Sequence, residues 1–201
     1  MTIKLENLEE LEDVEEEEGE EAYMAATLEH DIIAGNIYTA LRIFLRDKDT
    51  GRAFGGSAEY RFLQPLAGEP GKKTGKQPDV SFVAKEKLPQ RLRSYPDIVP
   101  DLVVEVSSPT DREYLIEAKV ALYQKYGVKL IWVAHPYSRR VDVYRLVSQL
   151  RPQVCMNEDE LNGEEVIPGF RLVISQIFDY PPDPDPIPEP RSKVRQEVSE
   201  I

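Results

Sequence analysis

Pro100-Asp101-Leu102-Val103-Val104-Glu105-Val106-Ser107-Ser108 is the stretch whose reading decides the fold. Leu102, Val103, Val104 and Val106 form a short apolar run, the pattern of a strand covered on both faces. Two carboxylates interrupt it. Side chains alternate along a strand, so Asp101, Val103 and Glu105 share one face. A charge in such a strand is costly unless a cation meets it. Three readings account for the acids: an ion pair, an acid at a strand end reaching water, or a divalent metal site. Two neighbours favour the metal. Upstream, Pro78-Asp79-Val80-Ser81-Phe82-Val83 opens on the same Pro-Asp pair, and downstream lies Lys119.

Working outward, residues 27–46 carry Ile33, Ile37, Ala40, Leu41, Phe44 and Leu45 at helical spacing, which predicts a helix with one apolar stripe. Gly35 weakens it by about 1 kcal/mol relative to alanine. After Thr50-Gly51 the chain turns into a strand expected over 53–63, and the Gly, Lys and Pro of 65–76 predict an exposed loop. Strands are expected at 78–83 and 101–106, joined by a connection containing Pro89 and Pro96. Thr110 and Glu113 have capping-box spacing, so a helix should run from there to about Tyr126 and close on Gly127. Strands follow at 129–133 and 140–146. The second alternates Val141 and Val143 with Asp142 and Tyr144, which predicts a half-exposed strand and an edge open to a partner. Asn162-Gly163 predicts a hairpin turn. A helix crossing between the strands at 101 and 129 implies an α/β sheet.

The net charge of −12 lies at the ends. Residues 1–21 carry −10 and residues 181–201 carry −2, so residues 22–180 are close to neutral. The middle therefore lacks the basic excess of a strong non-specific DNA binder, and the acidic ends do not exclude a nucleic-acid partner. Residues 1–24 are expected to be an acidic leader, disordered or at most a frayed helix, and residues 180–201 a Pro-rich extended tail. Residues 25–179 form the folded domain. The single cysteine, Cys155, excludes an internal disulfide and fits a reducing compartment. With no long apolar run and no basic-then-apolar start, the expectation is a cytoplasmic protein.

Asp79, Glu105 and Lys119 together permit one kind of chemistry. Two carboxylates on neighbouring strands suit a hard cation such as Mg²⁺ or Mn²⁺, and an ammonium beside them can orient water or offset charge on a phosphate. Other catalytic plans find less support. Gly71-Lys72-Lys73-Thr74-Gly75-Lys76 lacks phosphate-loop spacing, cysteines for zinc are missing, and His30 and His135 lie in no recognisable triad motif.

The ordered series Gln77–Val83, Pro100–Thr110, Lys119–Tyr123, Gly127-Val128, Ile131–Val133, Val141–Leu146 and Ile167–Phe170 resembles the Uma family of "putative restriction endonucleases", over about residues 25–179. That family is similar in fold to the PD-(D/E)XK nuclease superfamily. The resemblance implies a mixed central sheet flanked by helices, with a metal site at its edge. It carries the first metal-binding acid onto Asp79 and the second onto Glu105. Two residues after Glu105, where the superfamily usually has lysine, stands Ser107; the resemblance implies a lysine moved to the next helix, at Lys119. The alternative for Lys119 is an ordinary exposed lysine. Glu29 and Asp101 are accessory candidates, Asp101 also readable as a plain Pro-Asp strand start. The function implied is Mg²⁺- or Mn²⁺-dependent hydrolysis of DNA; the open edge expected at 140–146, and the two sites needed to cut both strands, lead to the expectation of a homodimer. The alternative is a nuclease fold kept as an inactive module that binds nucleic acid or a protein.

Overall fold

The computed structural model describes residues 27–62, 75–93, 95–108, 113–146 and 151–181. The acidic leader, most of the 65–76 loop, the start of the expected capping box and nearly all of the Pro-rich tail lie outside these residues. Within them, α1 (Leu28–Phe44) starts at Thr27, whose Oγ1 accepts the His30 N–H at 3.2 Å, and carries Glu29 and Asp31 in its first turn, where the helix dipole favours acids. Ile33, Ile37 and Leu41 are fully buried, as the stripe predicts.

A six-stranded sheet forms the centre, in the order β1 (Gly51–Gly55), β2 (Val80–Ala84), β3 (Leu102–Val106), β4 (Leu130–His135), β5 (Arg140–Arg145) and β6 (Gln153–Met156). All neighbours are antiparallel except β3 and β4, which run parallel across α2 (Glu113–Lys125). This is the mixed α/β sheet expected. α2 ends at Gly127, whose φ of +89° is the left-handed C-terminal conformation that glycine adopts without penalty. A small hairpin, β7 (Glu160–Asn162) and β8 (Arg171–Val173), and a last turn, α3 (Ile174–Ile177), complete the domain. Among the described residues no helix is long and apolar enough to cross a membrane.

The sheet separates two cores. On one face Val80, Phe82, Leu102, Val104, Leu130, Trp132, Val141 and Val143 meet α1, Phe170 and Ile177. On the other Val83, Val103, Ile131, Val133 and Tyr144 meet Val120 and Tyr123 of α2, with Tyr60 and Phe62. Each pair of alternating sets within β3 is thus buried, the physical reason its apolar run is unbroken.

Three expectations are corrected. The first strand is shorter and earlier than 53–63: it ends at Gly55, and beyond Gly55-Gly56 only an isolated bridge, Tyr60 to Lys76, continues the pairing. β5 is neither an edge nor half exposed. β6 covers its outer side, Asp142 is buried against His135 and Arg140, and Tyr144 packs in the second core. Asn162-Gly163 does not make a two-residue turn; β7 and β8 pair, but residues 163–170 intervene because Ile167 and Phe170 are drawn into the core.

Asp101 is almost wholly buried at the start of β3, where Lys87 Nζ and Lys129 Nζ stand 2.9 and 3.0 Å from Oδ1 and the Ala84 N–H donates to Oδ2 at 3.0 Å. Burial alone would raise its pKa; the backbone hydrogen bond and the two lysines overcome that and hold it below the ordinary value. The ion-pair reading therefore accounts for this acid. Its stabilisation is fully present above the unfolded pKa near ~3.9 and is lost as pH falls through the lower folded value. Asp101→Asn should cost about 2 kcal/mol at pH 7, since hydrogen bonds to a charge are lost while both lysines can turn to water. Denaturant titrations should show the gap between parent and variant closing below about pH 4; a gap that persists at pH 2–3 would contradict the assignment.

Candidate active site

β2 and β3 pair antiparallel with Val80 opposite Val104 and Ser81 opposite Val103. The pairing ends at Val80, and Asp79 lies one residue beyond it, beside the end of β3 that carries Glu105. The Asp79 carboxylate is fixed by β3 itself: Val106 N–H donates to Oδ2 at 2.7 Å. From α1, His30 Nε2 comes within 3.2 Å of the same oxygen. Asp79 raises the His30 pKa first through that hydrogen bond, burial opposes it, and the charges of Asp79, Glu105 and Asp31 add to the rise.

Glu105 is held from the other side by α2. Tyr123 donates its hydroxyl to Oε1 at 2.6 Å, and Lys119 Nζ stands 4.0 Å from Oε2. The two residues are four apart, hence on one helix face. With only 17% of its side chain exposed, Glu105 has its pKa pushed up to about 7, chiefly by burial and further by the Asp79 charge. Lys119, the Tyr123 hydrogen bond and the charge of Lys76 pull the other way without restoring the ordinary value. A shallow pocket opens here between α2 and the end of β3, bordered by Glu105, Ser107, Ile116, Lys119 and Val133.

The structure thus brings Asp79, Glu105 and Lys119 to one end of the sheet. The two accessory candidates have partners of their own. Asp101 sits four residues from Glu105 along β3, about 13 Å away at strand rise, in the ion pairs above. Glu29 faces Tyr180, whose pKa is raised by burial and then by Glu29. The residue of α1 that reaches Asp79 is His30. Helical spacing could have found it, because His30, Ile33, Ile37 and Leu41 lie on one face. The Tyr123 ring is buried, while its hydroxyl serves Glu105. Among the described residues no group of three His, Cys, Asp or Glu is gathered to hold an ion alone, so the site offers a carboxylate pair.

This fold, with acids at the end of its β2–β3 pair, is that of a nuclease-like α/β protein. A family model described as "Putative restriction endonuclease" matches residues 3–175, and the chain belongs to that family, Uma2. Among solved structures it is similar to one described as "a putative nuclease belonging to DUF820 from Anabaena variabilis", with a TM-score of 0.63 and 18% identity, over 76% of this chain and 82% of that one. A search of curated proteins found no match.

In the metal-free protein Glu105 should titrate near pH 7. Tyr123→Phe and Lys119→Ala each remove a group that favours the charged form, so each should move the midpoint higher. Carboxyl ¹³C shifts followed against pH would show this; a midpoint near 4 in the parent would contradict the burial argument.

Proposed function

We propose that the protein is a metal-dependent endonuclease that hydrolyses DNA phosphodiester bonds. The observation that carries this reading is the meeting of Asp79, held by the Val106 N–H, with Glu105 at the end of β3, and Lys119 Nζ 4.0 Å from Glu105. The chemistry of the pair suits a hard cation. Burial and mutual repulsion push Glu105 up to about 7, which is the state of a carboxylate pair short of positive charge. Both donors are oxygens, which suits Mg²⁺ or Mn²⁺, and Mg²⁺ commonly takes one or two carboxylates with waters and substrate phosphate filling the rest. When bound, such an ion supplies Lewis acidity at the phosphate and a water of lowered pKa.

The remaining work falls to the chain. Val106 N–H and His30 hold Oδ2 of Asp79, and Tyr123 holds Oε1 of Glu105, so each carboxylate is oriented before any ion arrives. Lys119 lies where its charge offsets that developing on the phosphate. Its place on α2, rather than two residues after Glu105, is the migrated-lysine arrangement. Cutting both strands of a duplex requires two such sites, and hence a second copy. That copy would meet β6, the outer strand, where Val154 and Met156 are exposed, and not the covered β5.

The full chain with Mg²⁺ or Mn²⁺ should cleave single- or double-stranded DNA at low salt, and EDTA should stop it. Glu105→Gln should remove cleavage and leave the fold, while Lys119→Ala should lower kcat about 10²-fold with metal affinity kept. A folded parent that binds DNA but never cuts it would move the reading to an inactive nuclease-fold module.

A further inference from the structure

A second polar line runs beside the carboxylate pair. Ser107, just past the end of β3, is pinned by its N–H to the Ala134 carbonyl at 2.9 Å. Its Oγ lies 3.3 Å from Nδ1 of His135, the last residue of β4. His135 Nε2 lies 3.1 Å from Oδ2 of Asp142 on β5, and Arg140 Nε stands 3.2 Å from the other oxygen of that carboxylate. All three side chains of the line are at least partly buried. Ser107 borders the same pocket as Glu105 and Lys119.

The polarity of this line follows from its far end. Burial alone would raise the Asp142 pKa, but the hydrogen bonds from His135 and Arg140 and the Arg140 charge hold it below the ordinary value. Asp142 is therefore ionised and can only accept. His135 must then carry its proton on Nε2. In the neutral ring Nδ1 is left bare and can only accept, so the Ser107 hydroxyl must donate to it. With the ring neutral and its single proton spent, the Ser107 oxygen presents only lone pairs to the pocket.

We propose that Ser107 is a further catalytic residue, whose oxygen accepts a hydrogen bond from the attacking water, and that His135 and Asp142 are positioning residues that fix it in that sense. The inference rests on the nuclease reading and adds a division of labour to it. Lys119, a donor without acceptor capacity, faces the charge on phosphate from α2; Ser107, an obligate acceptor, faces the water from the end of β3. A lysine at position 107 would present the opposite polarity, so serine here is a replacement in place but not in role.

Two measurements on the full chain test this. The ¹⁵N shifts of His135 in the neutral ring should report the proton on Nε2, and Ser107→Ala should shift Nδ1. In Mg²⁺-dependent cleavage of an oligonucleotide, Ser107→Ala and His135→Leu should each lower kcat about tenfold to a hundredfold with KM little changed. The double variant should be no slower than either single one, because both remove the same acceptor. His135→Asn, which can place an amide oxygen near the Nδ1 position, should recover most of the rate. Ser107→Ala cutting as fast as the parent, losses that multiply in the double variant, or a ring protonated on Nδ1 would overturn the inference. A parent that cuts nothing would overturn the nuclease reading, and this inference with it. Should His135→Leu fail to fold, Ser107→Ala and the ring tautomer still decide.

Discussion

The parallel pairing of β3 with β4 is the constraint on which the rest depends. Two parallel neighbours cannot be joined by a tight turn; the chain must cross over a face of the sheet, and here it does so as α2. Val120 and Tyr123 anchor that helix in the second core. Once it is anchored, Lys119 and the Tyr123 hydroxyl reach the end of β3, where Glu105 lies. The antiparallel pairing with β2 brings Asp79 to that end from the other side. Packing and chemistry are thus set by one topological choice.

β3 also shows how environment sorts two acids of one strand. Asp101 is the more deeply buried by area, yet it is the more comfortably ionised, because two lysines and a backbone N–H face it. Glu105 has one hydroxyl and one looser lysine, with another acid across the register, and its pKa climbs to about 7. The first arrangement is closed and serves stability. The second borders a pocket with its acid pushed toward the neutral form, and the proposed function rests on it.

Much of this was legible in the chain, and the parts that were not have definite causes. The Leu102–Val106 run reported a buried strand, and the paired Pro-Asp starts marked the two stretches whose acids, Asp79 and Glu105, meet at its end, since those features are local. Periodicity placed α1 and, with Gly127, the end of α2. β5 misled because Asp142 and Tyr144 look solvent-facing in sequence; only the fold supplies His135, Arg140 and β6 to cover them. The partners of Asp101 come from Lys87 and Lys129, residues far apart in the chain. The resemblance points to Glu29, whereas the α1 residue that meets Asp79 is His30, one residue on.

The most direct measurement of the central claim is the position of a bound ion. Crystals of the full chain soaked in Mn²⁺ and examined by anomalous scattering should show one ion between Asp79 and Glu105, about 2.1–2.2 Å from an oxygen of each, with Lys119 nearby but not coordinating. An ion bound elsewhere, or none at millimolar Mn²⁺ with the His30–Asp79 and Tyr123–Glu105 contacts unchanged, would contradict the account.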